Sequence, residues 1–114
     1  MPAPSIARIQ VAGVYDAAEA RLLAEAGVEW IGIPLRLPVN REDVSDEQAA
    51  AIVAAGAGKP VTFVLITYLE RAAEIAQLAR RIGVRHVQIH GATTPTDLDA
   101  LRQLLPGVVV IKSL

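Results

Sequence analysis

The fold is decided by residues 61–91, which read VTFVLITYLERAAEIAQLARRIGVRHVQIHG. The stretch opens at 61–67 with a short run of β-branched and aromatic residues, which favours a strand. Small and apolar residues then recur at helical spacing over 68–82, and Gly83 marks a helix end. A second apolar run occupies 84–90 and stops at a glycine. The stretch therefore predicts a strand, a helix and a second strand.

The same alternation runs along the rest of the chain. Strands are predicted at 8–12, 28–35 and 108–111, and helices at 16–26, 46–55 and 96–105. Ser45 and Gln48 have the spacing of a capping box at the start of the second helix. Either Thr94 or Thr96 would cap the fourth helix. The loop at 36–44 is the longest one, and long loops in α/β units often carry function.

Helices between successive strands predict an α/β fold in which the strands pair in parallel through right-handed crossovers. Such sheets usually carry helices on both faces, and we expect that arrangement here. The sequence shows neither a linker nor a change of composition. We therefore interpret 1–114 as a single α/β domain.

Composition excludes several classes of partner and site. The 114 residues carry 11 Lys+Arg and 12 Asp+Glu without a basic block, so a nucleic-acid partner is not expected. Every apolar stretch is broken well before about 18 residues and no secretory signal is visible, which predicts a cytoplasmic protein without a membrane partner. The absence of cysteine excludes disulfides and cysteine nucleophiles. Because His86 and His90 are the two imidazoles, we expect neither a metal site nor a cofactor.

Four short strings stand in order along the chain. They are QVAGVY at 10–15, NREDVSDEQA at 40–49, VQIHG at 87–91 and VIKS at 110–113, with Ala-Gly and Ile-Gly pairs between the first two. In these strings the chain resembles the phosphoribosylanthranilate isomerase family, which has KICGIT, SPRxVSxEQA, VQLHG and VIKA in the same order. The second string is one residue longer here, between Arg41 and Val44. The resemblance covers about 9–112, almost the whole chain.

The resemblance implies a fold and an activity. The family consists of (β/α)8 barrels that catalyse an Amadori rearrangement, the aldose–ketose isomerisation of N-(5-phosphoribosyl)anthranilate in tryptophan biosynthesis. This chain would then be a (βα)4β portion of a TIM barrel. An open, doubly wound sheet of flavodoxin type has the same five-strand pattern and stays the alternative.

The resemblance also implies where the catalytic groups would lie. The family takes its general base from a cysteine on the first strand, where this chain has Ala12. Asp16 lies close by, either as a substitute base or as a helix N-cap. The family's acid lies on the sixth strand, and its phosphate site follows the seventh and eighth, beyond the five strands predicted here. We therefore expect the isolated chain to be inactive, with its catalytic residues unknown.

Three residues keep the family's binding pattern. Arg41 resembles the arginine that faces the anthranilate carboxylate, and it equally suits a solvated loop. Gln88 and His90 lie on one face of the fourth strand, because side chains alternate with a period of two. His90 falls at the carboxyl end of the strand, as a binding residue, a substitute base or a structural hydrogen-bonding group. His86 lies lower on the same face, where we expect a structural role.

Five strands do not close a barrel, so the parallel edges and the inward apolar residues need a cover. Either self-association or a C-terminal half-barrel would supply it. The ligand implied by the resemblance is a phosphosugar or an aromatic carboxylate. A different class of function also fits: a non-catalytic or designed half-barrel that binds a small anion through Arg41, His90 and Lys112.

Overall fold

The computed structural model describes residues 10–12, 17–36 and 45–112. In these ranges the strands are β1 Gln10–Ala12, β2 Trp30–Leu35, β3 Thr62–Thr67, β4 His86–Ile89 and β5 Val109–Lys112. The helices are α1 Ala17–Glu25, α2 Asp46–Ala55, α3 Ala72–Ile82 and α4 Pro95–Leu104. The alternation is confirmed, while 8–9 and Asp16 lie outside the described residues. None of the helices in these ranges is long and apolar enough to cross a bilayer.

The five strands follow one another in sequence order across the sheet. Every neighbouring pair is parallel, and the order is β1-β2-β3-β4-β5. The flavodoxin-type alternative is therefore wrong, because that fold interchanges its first two strands in the order 2-1-3-4-5. Here each crossover advances to the next position in the sheet, which is the connectivity of a β/α barrel.

The four helices form one layer against one face of the sheet. Each helix contacts its neighbour in sequence, α1 with α2, α2 with α3 and α3 with α4. All four helices contribute side chains to a single hydrophobic core. The expectation of helices on both faces was wrong, because right-handed crossovers that all advance in one direction place every helix on the same side.

The opposite face of the sheet carries none of the described helices, and we call it the open face. Side chains alternate along each strand, so every second residue belongs to it. In β2, Ile31, Ile33 and Leu35 are fully buried on the helix side, whereas Trp30 and Pro34 are half-buried on the other. The register assigns the residues of the neighbouring strands to the same two faces, and Val64 is fully buried although it lies on the open face. The open face consists of Trp30, Gly32, Pro34, Thr62, Val64, Ile66, His86, Gln88, Val109 and Ile111.

Local side-chain hydrogen bonds fix the starts of two helices. The predicted capping box of α2 is confirmed: Gln48 N donates to Ser45 Oγ at 3.1 Å, and Ser45 N donates to Gln48 Oε1 at 2.7 Å. In α4 the cap is Thr94, whose Oγ1 accepts from Asp97 N at 3.1 Å. These bonds satisfy backbone N–H groups that the helix itself leaves without acceptors.

The third helix begins four residues later than the predicted start at 68. Thr67 is fully buried at the end of β3, and its Oγ1 accepts a hydrogen bond from Leu69 N at 3.2 Å. This turn carries the chain away from the strand before α3 starts at Ala72. The predicted end is confirmed, because Gly83 caps α3 in the left-handed conformation, with its N–H bonded to Ala79 O.

Truncating the two faces of the sheet gives unequal losses of stability. Ile33→Ala removes a fully buried helix-side residue, so the free energy of unfolding falls by about 2–5 kcal/mol. Ile66→Ala, on the open face of the neighbouring strand, costs about 1 kcal/mol or less, because its surroundings are partly solvated. Urea unfolding of dilute protein measures both losses. Equal losses would contradict a single helix-side core.

Candidate functional site

Parallel strands end at one edge of the sheet, and these ends form the candidate site. Five residues end or directly follow the strands: Ala12, Arg36, Tyr68, His90 and Lys112. We call this edge the carboxyl rim. In β/α barrels the corresponding edge carries the active site, whereas the amino edge serves stability.

The rim holds some of the residues singled out from the sequence. The β1 position that the family fills with its base is Ala12, whose backbone pairs with Gly32 of β2. Lys112, the last residue of β5, pairs with Ile89, the last residue of β4. His90 directly follows β4, so His90 and Lys112 lie at the carboxyl ends of adjacent strands. Asp16 and Arg41 lie outside the described residues, and their roles stay predictions.

His90 lies in a compact cluster at the carboxyl rim. The His90 ring stacks on Tyr68, with centroids 5.2 Å apart and planes inclined by 29°. His90 Nε2 lies 3.2 Å from Gln88 Nε2, and the His90 backbone N–H donates to Thr67 O at 2.9 Å. The predicted pair Gln88 and His90 is thus in contact, together with an aromatic residue that the sequence analysis missed.

Tyr68 was missed because it was counted as the first residue of a helix. It instead continues the row of side chains that starts at Thr62 on the open face. Ile66 pairs with Gln88 in the sheet, so two residues further on Tyr68 comes opposite His90. The strand register was the signal that would have found it.

Two further contacts join the loops after β3 and β4. A Cβ atom added at Gly91 would lie 2.5 Å from the carbonyl oxygen of Tyr68, so only glycine allows this close approach of the two backbones. The Ala92 N–H donates to Glu70 Oε2 at 3.1 Å. The loop that carries Tyr68 and the loop that follows His90 are therefore held against each other.

An ion-pair network fastens the chain on either side of segment 37–44, which contains Arg41. Arg36 donates to Asp46 through two parallel bonds, Nη1 to Oδ1 at 3.0 Å and Nη2 to Oδ2 at 2.8 Å. Arg81 Nη1 reaches the same carboxylate at 3.0 Å. The hydrogen bond from Arg36 is the main cause that lowers the pKa of Asp46, against an opposing effect of burial. Arg36 holds this geometry with a φ of 59°, in the left-handed region.

At the amino end of the open face, two aromatic rings pack against each other. His86 packs edge-on against Trp30, with centroids 5.5 Å apart and an interplanar angle of 81°. Burial lowers the pKa of His86, which favours its neutral form. These contacts agree with the structural role predicted for His86.

Two clefts lie at the amino edge of the sheet, away from the rim. A cleft of about 460 Å³ lies at the amino edge, between the end of α2 and the start of β4. Among 17–36 and 45–112, no group of three or more His, Asp or Glu side chains is arranged to hold a metal ion. The candidate site therefore rests on the side chains of the carboxyl rim.

Comparison with known proteins points to one family. No family model matches the chain. N-(5'-phosphoribosyl)anthranilate isomerase 2 of Methanosarcina mazei is 30% identical over 106 residues, which are 93% of this chain and 47% of that protein. The Eremothecium gossypii isomerase is 38% identical over 106 residues, covering 91% and 49%. The chain thus spans about half the length of the curated relatives it matches.

The solved structures agree with the sequence relatives. Phosphoribosyl anthranilate isomerase from Thermus thermophilus superimposes with a TM-score of 0.78 at 29% identity, over 94% of this chain and 51% of that one. The chain is a half-length relative of the phosphoribosylanthranilate isomerases. The resemblance read from the four sequence strings is confirmed, and so is the (βα)4β portion of a TIM barrel.

Two further solved isomerases match at the level of the fold. One, in complex with reduced 1-(o-carboxyphenylamino)-1-deoxyribulose 5-phosphate, has a TM-score of 0.74 at 24% identity, over 92% of this chain and 52% of that one. The other, the Thermotoga maritima isomerase studied as monomers of a dimeric protein, has a TM-score of 0.76 at 22% identity, over 92% and 50%. Isomerases of this fold thus include a ligand complex and a dimeric form.

Removing the Asp46 carboxylate tests the network beside 37–44. Asp46→Asn loses the charge-assisted bonds to Arg36 and Arg81, so the free energy of unfolding falls by about 1 kcal/mol at pH 7. Because the pKa of Asp46 is lowered by folding, this contribution is complete above the ordinary value of 3.8 and disappears as the pH falls through the folded value. Urea unfolding between about pH 7 and pH 2.5 measures how the difference in the free energy of unfolding between the wild-type chain and Asp46→Asn changes with pH.

Asp99→Asn is the matched control for that experiment. Asp99 is 75% exposed and lies 3.4 Å from Arg102, so its replacement leaves stability nearly unchanged. Equal losses from the two substitutions would contradict a structural role for the Asp46 network.

Proposed function

We propose that this chain is the N-terminal half-barrel of an aldose–ketose isomerase that acts on N-(5-phosphoribosyl)anthranilate. The observation that carries the proposal is the match of about nine-tenths of the chain to phosphoribosylanthranilate isomerases in both sequence and fold. The side chains of Gln88 and His90 meet at the edge of the sheet where such barrels bind ligands. This half contributes substrate-binding residues.

The isolated half lacks the groups that this chemistry requires. An Amadori isomerisation moves one proton to the substrate and removes another, so it needs an acid and a base. It also needs an anchor that holds the substrate's phosphate in place. Alanine has no titratable side-chain atom, so Ala12 does not replace the family's base. The acid and the phosphate anchor come in the family from the second half of the barrel. We therefore propose that the chain alone is inactive.

Arg41 is the proposed contact for the aromatic carboxylate. A guanidinium group forms two parallel hydrogen bonds with a carboxylate, which fixes a planar acid in one orientation. The segment that carries Arg41 is held on either side by the bond between Arg36 and Asp46.

The open face is the proposed surface for the other half of the barrel. None of its ten residues carries an Asp, Glu, Lys or Arg side chain, and most are apolar. In a closed barrel of eight strands the corresponding residues pack in layers around the axis. A second half-barrel, from another polypeptide or from a second copy of this chain, would bury them.

Ala12 favours a second candidate function. A half-barrel without the base would act as a binding module, which holds a small anion through Arg41, His90 and Lys112. Titration with sugar phosphates and aromatic carboxylates separates the two candidates. Binding that persists when the barrel is reconstituted, without any turnover even after Ala12→Cys, supports the binding module.

Reconstitution with a cysteine tests the isomerase proposal. The chain is coexpressed with the C-terminal half of the Thermus thermophilus isomerase, and the loss of substrate fluorescence is followed. We expect no turnover by the chain alone, and a gain of about 100-fold or more when Ala12→Cys is introduced into the reconstituted barrel, because a positioned base contributes about that factor. The C-terminal half alone is the control.

A folded, reconstituted Ala12→Cys barrel without activity would contradict the isomerase proposal. Turnover by the isolated chain that disappears in His90→Ala would contradict the proposal that the chain alone is inactive.

Charging the open face tests the proposed docking surface. Ile66→Glu places a carboxylate at a half-buried position of β3, so it weakens self-association by about 10-fold or more. Leu22→Glu is the matched control, because Leu22 is 67% exposed on α1. We expect this substitution to leave association unchanged. Sedimentation velocity over a range of concentrations measures both. A wild-type chain that stays monomeric at all concentrations excludes the second-copy arrangement.

A further inference from the structure

The His90 side chain is restrained from three directions. Its backbone N–H is bonded to the β3 carbonyl of Thr67 at 2.9 Å. One ring face lies against the Tyr68 ring, with the two centroids 5.2 Å apart. The ring nitrogen Nε2 lies 3.2 Å from the amide nitrogen Nε2 of Gln88. Stacking limits rotation of the imidazole, and the amide contact selects between its two nitrogens.

The support beneath this ring is itself fixed. The hydrogen bond from Leu69 N to the fully buried Thr67 sets the turn that brings Tyr68 over His90. Gly91 lets the backbone after His90 approach the Tyr68 carbonyl more closely than any residue with a Cβ would. Contacts of both loops therefore fix the backbone that carries the Tyr68 ring.

The Gln88 contact determines where the neutral imidazole carries its proton. The atom nearest the ring is the amide nitrogen Nε2, which donates hydrogen bonds and does not accept them. His90 Nε2 must then accept with its lone pair. A neutral imidazole has one protonated nitrogen, so the proton lies on Nδ1.

We propose that Tyr68 and Gln88 are positioning residues that hold His90 as the Nδ1–H tautomer, so that His90 donates a hydrogen bond to a ligand oxygen. In this state the Nε2 lone pair is occupied by Gln88, and Nδ1 has no lone pair to accept a proton. His90 therefore does not act as the substitute base. Its partner is an acceptor such as a carboxylate, hydroxyl or phosphate oxygen.

The choice of ligand oxygen rests on the proposed isomerase function, but the tautomer does not. The tautomer is a property of the chain without ligand. A failed reconstitution of activity and a wrong tautomer are therefore separate results.

The experiment is a long-range proton–nitrogen NMR correlation on the 15N-labelled 114-residue chain. It is recorded at about pH 8.5, two units above the ordinary histidine pKa, where unperturbed imidazoles are neutral. The His86→Gln variant leaves His90 as the remaining imidazole and assigns its signals. We expect a protonated Nδ1 and an unprotonated Nε2 for His90.

Three variants separate positioning from mere packing. Gln88→Glu presents an acceptor in place of the donor, so we expect the proton to move to Nε2. Tyr68→Phe keeps the stacked ring and leaves both the tautomer and the ring-current shift of the His90 ring protons unchanged. Tyr68→Leu removes the ring current and broadens the His90 signals, because the ring then samples more than one orientation. Amide spectra verify that each variant is folded.

A wild-type His90 that carries its proton on Nε2 overturns the proposal without any variant. So does a folded Gln88→Glu chain that keeps the wild-type tautomer, because the amide would then have no part in selecting it.

Discussion

The rest of the structure depends on one constraint, the sequential order of five parallel strands. Crossovers between parallel strands of one sheet follow a right-handed rule. This order places four helices side by side on one face, where Ile31, Ile33 and Leu35 are completely buried. It also places every second residue of the strands on a face that the described helices do not cover. The helix-side core stabilises the chain, and the open face and the carboxyl rim are the surfaces that we propose for assembly and for ligands.

The same register explains how the site is assembled. Ile66 pairs with Gln88, so the row of side chains that continues past each strand brings Tyr68 opposite His90. The rim thereby gains an imidazole restrained by a ring and an amide. In the neighbouring part of the rim, Arg36 and Asp46 fasten the chain beside segment 37–44. Preorganisation of this kind lowers the entropy lost when a ligand binds.

Features with a local cause were predictable from the sequence. The capping box of Ser45 and Gln48 and the left-handed end of α3 at Gly83 follow from residues only a few positions apart. Periodicity gave the alternation of strands and helices, but it holds no information on strand order, so the flavodoxin-type sheet stayed open. The bond between Arg81 and Asp46 joins residues 35 positions apart and has no local signal. The stack of Tyr68 on His90 required the register, which only the sheet supplies.

The central claim is that the open face is the surface on which a second half-barrel docks. The most direct measurement is chemical-shift mapping of the 15N-labelled chain as the unlabelled C-terminal half of the Thermus thermophilus isomerase is added. We expect the perturbed amides to follow the open-face residues and the edge strands β1 and β5. Perturbations confined to the outer surfaces of α1 to α4, with the strands unchanged, would contradict the claim.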